Sequence, residues 1–214
     1  MSRVTAKICG LSTPETLDAA IAGGASYVGF VFFPPSPRNL SLDKARALGA
    51  RVPAHVAKVG VFVDPDDALI EAARDAAGID ILQLHSTEFL RVAELDSRPG
   101  NIVWPAVSVR RASDIKEAGR YAGIPVNRVL YDAKTPDDAL VPGGMGLRFD
   151  WEMLRGYQHP CDWALAGGLT PENVIPAVTI TGARMVDVSS GVESAPGVKD
   201  VDKIAAFLKA VAQC

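Results

Sequence analysis

Several side chains able to do chemistry stand at the ends of short apolar runs. Cys9 closes the run 4–9, and Lys7 lies two residues before it. Residues i and i+2 of a strand share a face, so an ammonium and a thiol would stand side by side. A neighbouring cation favours the thiolate, although a free cysteine equally suits a small buried apolar position. Asp132 follows Val129-Leu130-Tyr131 and reads either as an acid–base carboxyl or as a solvated loop aspartate. Gln83 and His85 end a fourth run, and Asp187 stands in an eighth, next to the first if the strands close. There it is placed to pair with Lys7. The three histidines (His55, His85, His159) form no pair at metal-ligand spacing, so His85 reads as a hydrogen-bonding pocket wall. Arg38, in the Pro-bounded loop Ser36-Pro37-Arg38, is either a solvated cation or a fork for a carboxylate.

Two glycine-bearing turns suggest an anion site. Ala166-Gly167-Gly168-Leu169-Thr170-Pro171 follows a seventh run, and Val188-Ser189-Ser190-Gly191 follows the eighth. Glycines let backbone N–H groups approach an anion closely, and a helix N-terminus beyond them adds a favourable dipole. The plainer alternative is that they only make tight turns.

These positions require a scaffold that gathers strand ends. Strand-like runs occur at 4–9, 26–32, 56–63, 79–84, 102–107, 128–131, 162–166 and 184–188. Helix-like stretches alternate with them, with start signals at Thr13-Pro14-Glu15, Ser41, Asp64-Pro65, Ser113 and Thr170-Pro171-Glu172. The last stretch carries Ile204, Phe207, Leu208 and Val211 at the spacing of one buried helix face. Eight strand–helix units of about 27 residues fit a compact (β/α)8 TIM barrel, an α/β fold, as a single domain over residues 1–214. Several runs lack polar alternation, as strands covered on both faces should. A doubly wound open sheet is the rival, but its Gly-x-Gly-x-x-Gly fingerprint is missing after the first strand, where the chain reads Cys9-Gly10-Leu11-Ser12. Residues 133–147 form an unusually long Pro/Gly-rich loop, the kind that serves function.

Composition narrows the function classes. With 48% apolar and 22% charged residues the chain is an ordinary globular one, not disordered or fibrous. A net charge of −3 with no Lys/Arg run gives no footprint for nucleic acid or an anionic membrane. No apolar stretch is long enough to span a bilayer, and the N-terminus lacks a signal-peptide core. Three widely spaced cysteines, Cys9, Cys161 and Cys214, point to a reducing cytoplasm and no structural zinc.

In this order the motifs resemble the phosphoribosylanthranilate isomerase family of tryptophan biosynthesis. They are Lys7-Ile8-Cys9-Gly10, Gly29-Phe30-Val31-Phe32, Ser36-Pro37-Arg38, Val61-Phe62-Val63, Gln83-Leu84-His85, Asp132, Gly143-Gly144, Phe149-Asp150-Trp151, Leu165-Ala166-Gly167-Gly168-Leu169, Glu172-Asn173-Val174, Asp187-Val188-Ser189-Ser190-Gly191-Val192-Glu193 and Lys199-Asp200. The resemblance implies an Amadori rearrangement of N-(5-phosphoribosyl)anthranilate to 1-(2-carboxyphenylamino)-1-deoxyribulose 5-phosphate, without metal or cofactor. It implies Cys9 as general base and Asp132 as general acid. Phosphate would lie at Gly144, Gly167, Gly168, Ser190 and Gly191. Lys7, Arg38, Gln83, His85 and Asp187 would line the rest of the substrate, with Arg38 at the anthranilate carboxylate. The protein would be a cytoplasmic monomer or homodimer whose ligand is a small phosphosugar.

The chain departs from the family pattern at Ser86 (usually Gly), at Met145 in Gly143-Gly144-Met145-Gly146 (usually Thr) and at Asp64 (often Asn). Three other readings fit the chain less well. A histidine-pathway isomerase on a sister barrel carries Asp where this chain has Cys9. Indole-glycerol-phosphate synthase uses a catalytic Lys and Glu, matched here only by Lys7. A catalytically dead phosphosugar-binding barrel would not need Cys9, Asp132 and both glycine turns.

Overall fold

Eight strands pair in sequence order and close on themselves: β1 (Thr5–Cys9), β2 (Tyr27–Phe32), β3 (Ala57–Val63), β4 (Ile81–His85), β5 (Val103–Val109), β6 (Arg128–Ala133), β7 (Asp162–Leu165) and β8 (Met185–Val188). All are parallel, and β8 returns to β1. The computed structural model describes residues 4–133 and 146–214. Most of the expected 133–147 loop, with Gly144 and Met145, therefore lies outside the described residues.

Strand period decides what faces inward. Val31, Val61, Gln83 and Trp104 meet in register across β2–β5. With Cys9, Val59, Ile81, Leu130, Ala164 and Met185 they fill the barrel interior. The alternate residues, among them Ile8, Phe30, Phe62 and Tyr131, pack outward against the helices in the larger core. Both strand faces are thus apolar, as the unbroken hydrophobic runs require. Arg128, at the start of β6, stacks its guanidinium 4.9 Å from the Trp104 ring centroid and closes the barrel end opposite the pocket.

Helices α1 (Pro14–Ala22), α2 (Leu42–Gly49), α3 (Asp67–Ala77) and α4 (Phe89–Ser97) follow the first four strands. Thr13 and Ser41 cap α1 and α2 by accepting from the N–H groups of Thr16 and Lys44. Three expected starts shift. Asp66, not Asp64, caps α3, because Asp64 ends the preceding turn with φ 42. The helix after β5 starts at Ala112 rather than after Ser113, and α5 (Ala112–Ile115) passes at once into a 3-10 helix, Lys116–Gly123. After β7, Thr170-Pro171-Glu172 forms a turn and α6 (Val174–Thr181) begins behind Asn173. Strict strand–helix alternation also fails between β6 and β7, where the described residues form only the 3-10 helix Trp151–Leu154. A short 3-10 turn and an antiparallel hairpin of β9 (Glu193–Ala195) and β10 (Val198–Lys199) separate β8 from α7 (Val201–Val211).

Candidate active site

Lys7 and Cys9 both point into the barrel, as their spacing requires. Lys7 is opposite Asp187 in register, and its Nζ donates to Asp187 Oδ1 at 2.9 Å with the lysine fully buried. Burial alone would lower the Lys7 pKa, but the charges of Asp187 and Cys9 more than offset it and hold it above the ordinary value. Room for these side chains comes from β2. Gly29 is opposite Cys9, and a Cβ there would lie 3.0 Å from Cys9 Sγ and 3.1 Å from Lys7 Cε.

Lys7 acts on Cys9 in the expected direction but is outweighed. Burial pushes the thiol pKa up; Lys7 lowers it, Asp187 raises it again, and the net direction is upward. A cation already satisfied by a carboxylate gives the thiolate less than a lone ammonium would. Asp132 is shifted the same way. Burial, then the charge of Asp187, push its carboxyl up to about 7, against a backbone hydrogen bond and Lys7. His85 is pushed down to about 4, first by burial and then by Lys7, so its ring is neutral near pH 7. Its Nε2 lies 2.8 Å from Gln83 Nε2.

Cys9, Arg38, Gln83, His85, Asp132 and Asp187 line one pocket at the C-terminal ends of the strands, together with Gly167, Gly168 and Ser190. Val31, Phe33, Val61, Val63 and Leu169 give it an apolar wall. Lys7 lies beneath this surface and reaches the pocket through Asp187 and Cys9. The thiol and the Asp132 carboxyl sit on β1 and β6, three strands apart around the closed sheet.

The two glycine turns meet at the pocket wall through Gly191 and Leu169. A Cβ on Gly191 would sit 1.8 Å from Leu169 O, one on Gly167 2.5 Å from Ala133 N, and one on Gly168 2.7 Å from Leu147 O. Gly167 and Gly168 also have φ of 84 and 66, a region costly for other residues. Close backbone packing at all three positions, and positive φ at two of them, leaves no room for a side chain.

Arg38 differs from expectation in one respect. Its Nε and Nη2 donate to Glu193 Oε1 and Oε2, both at 2.7 Å, so one edge of the fork already grips a carboxylate of the protein. Lys199 Nζ donates to the same Glu193 Oε1 at 2.6 Å and to Ser189 O at 2.9 Å. Burial opposes ionisation of Glu193, but Arg38 and Lys199 outweigh it and hold its pKa below the usual range. Sequence reasoning gave Glu193 and Lys199 no role. The signal available was a carboxylate and an ammonium flanking a Pro-Gly turn directly after the eighth strand. Among the described residues no group of three or more His, Cys, Asp or Glu side chains is placed to hold a metal ion.

Comparison with known proteins agrees with this geometry. A family model described as N-(5'phosphoribosyl)anthranilate (PRA) isomerase matches residues 6–210. N-(5'-phosphoribosyl)anthranilate isomerase of Zymomonas mobilis subsp. mobilis is 51% identical over 210 residues, covering 97% of this chain and 98% of the relative. The crystal structure of phosphoribosyl anthranilate isomerase from Thermotoga maritima is 36% identical with a TM-score of 0.87, covering 99% of this chain and 100% of that one. A structure of the same enzyme type in complex with reduced 1-(o-carboxyphenylamino)-1-deoxyribulose 5-phosphate is 33% identical with a TM-score of 0.82, again covering 99% and 100%.

Proposed function

Since the chain belongs to the N-(5'-phosphoribosyl)anthranilate isomerase family, we propose that Cys9 is the general base and Asp132 the general acid of its reaction. The protein is an isomerase of tryptophan biosynthesis, converting N-(5-phosphoribosyl)anthranilate to 1-(2-carboxyphenylamino)-1-deoxyribulose 5-phosphate. In this reading the Asp132 carboxyl protonates the furanose ring oxygen. The C1′–O bond breaks and the nitrogen lone pair closes a C=N bond. The Cys9 thiolate then takes the C2′ proton; the freed pair forms C1′=C2′, and the C=N pair returns to nitrogen. The enol product relaxes to the ketone. The substrate nitrogen is its own electron sink, so these steps call on no metal or cofactor.

The observation that carries the assignment is the thiol and the carboxyl on separate walls of one pocket, with the carboxyl held at about 7. A protonated carboxylic acid near neutrality is what ring opening requires. The phosphate is assigned to Gly167, Gly168, Ser190 and Gly191, and by motif to Gly144. The anthranilate ring is assigned to the apolar wall and its carboxylate to Arg38. Gln83, His85 and Asp187 border the ribose, with Lys7 acting through Asp187.

The same reading makes residues 1–214 one barrel domain. It gives a cytoplasmic monomer or homodimer with a phosphosugar ligand and no nucleic-acid or membrane partner. Among the described residues no helix is long and apolar enough to cross a membrane. The test is loss of anthranilate-type fluorescence on turnover. Cys9→Ala should lower kcat by ~10²–10⁴ with KM nearly kept. Activity within about threefold of wild type refutes the base. Asp132→Asn should lose as much, and if Asp187→Asn is far more damaging, the acid is misassigned.

A further inference from the structure

We propose that Glu193 is a positioning residue for substrate binding, holding Arg38 in the orientation from which its guanidinium meets the carboxylate end of the substrate, while Lys199 keeps the cluster cationic. The proposal rests on the reading of Arg38 given above and deepens it.

Three charged side chains, each no more than 8% exposed, meet at the edge of the pocket. Glu193 receives both Arg38 bonds, the Lys199 bond and, at 3.2 Å, the Gly197 N–H. Desolvating such a cluster is costly, and apolar packing of the same volume often stabilises a fold as well or better. Its geometry, however, does what a single ion pair cannot. Bidentate contact along the Nε–Nη2 edge fixes the plane of the guanidinium. One carboxylate facing Arg38 alone would cancel its charge. With Lys199 as second cation, two positive charges face one negative, and the net charge at the pocket wall stays positive.

The cluster also connects parts of the site that are far apart in sequence. Lys199 bonds Ser189 O and, at 3.2 Å, Ser189 Oγ, and Ser189 Oγ donates to Cys9 O at 3.3 Å. The β9–β10 turn is pressed onto the Arg38 loop: Gly197 has φ 81, and a Cβ there would lie 2.7 Å from Pro37 O. The hairpin after β8 is therefore a clasp joining the Arg38 loop, the turn assigned to phosphate and the end of β1. Ser36 Oγ supports the same loop by accepting from Arg38 N at 3.2 Å.

The experiment compares phosphoribosylanthranilate with its aniline counterpart, which lacks the carboxylate, on wild type, Arg38→Met and Glu193→Gln. The expected result is that Glu193→Gln raises KM for the carboxylated substrate about tenfold, with kcat within about twofold, and handles the aniline substrate as wild type does. Its preference ratio should fall toward that of Arg38→Met. Glu193→Asp keeps the charge and withdraws the carboxylate by one methylene; it should show a smaller loss of the same selectivity and provides the test should Glu193→Gln fail to fold. Equal losses on both substrates would mean a structural role only and overturn the proposal. If Arg38→Met loses the preference while the Glu193 variants keep it, Arg38 reads the carboxylate unaided and the proposal falls alone. If Arg38→Met keeps the wild-type preference, both readings fall.

Discussion

Measured from about pH 5.5 to about pH 10, kcat/KM should rise tenfold per unit, bend flat near 7, and fall only above the pKa of the buried thiol. The reason is that the two assigned groups titrate in the reverse of the order their roles demand. Asp132 must enter protonated and loses its proton at about 7, raised by burial and by the charge of Asp187. Cys9 must enter ionised, yet burial lifts it above the ordinary thiol value of 9.0. The thiol therefore titrates above the carboxyl, so the productive form is a minor one at any pH. Below 7 the carboxyl is protonated and thiolate grows with pH. Between the two pKa values each gain in thiolate is matched by a loss of carboxylic acid, and the rate is flat. Above the thiol pKa only the loss remains. His85, at about 4, titrates outside this window. The decisive comparison is Asp132→Asn at constant ionic strength. Its residual activity should rise through 7 without a bend, up to the thiol pKa. A wild-type profile that falls through pH 7 would refute the order of titration, and a variant that keeps the bend would show that it belongs to another group.

Asp132 also links stability to pH. The native state binds the proton more tightly than the unfolded chain, so stability falls as pH rises from about 3.8 to about 7 and then levels off. The shift sets an upper limit of about 4 kcal/mol, which water at the partly exposed carboxyl reduces to about 1–2 kcal/mol. Asp132→Asn should therefore melt several degrees above wild type at about pH 8.5 and lose that margin by about pH 4, and a constant margin would refute the linkage. Ser86 is exposed with φ 51, a conformation glycine adopts without strain, so Ser86→Gly should stabilise by about 0.5–1 kcal/mol; a lower melting temperature would count against the strain. Gly191→Ala must push its turn away from Leu169 O; it should raise KM and the inhibition constant of inorganic phosphate together, and unchanged phosphate inhibition would remove Gly191 from the anion site.

The sequence alone determined the barrel and the inner face of each strand. Period 2 puts Lys7 with Cys9 and Gln83 with His85 on one face, and apolar runs without alternation demand cover on both sides. Strand ends carrying Cys9, His85, Asp132 and Asp187 then fall at one mouth in any parallel closed sheet. Local pattern served the helix starts less well. The capping groups at Asp64, Ser113 and Thr170 compete with turns set by the strands they follow, and the β6–β7 crossover carries no α-helix among the described residues. What only the tertiary structure decided is the electrostatics. Lys7 meets a carboxylate 180 residues away, and Arg38 one 155 residues away. Strand order in a closed barrel already puts Asp187 beside Lys7, but nothing in the local sequence points from Arg38 to Glu193. A cation next to a thiol reads locally as a thiolate; once Asp187 has taken the cation and the barrel has excluded water, burial wins and the thiol keeps its proton.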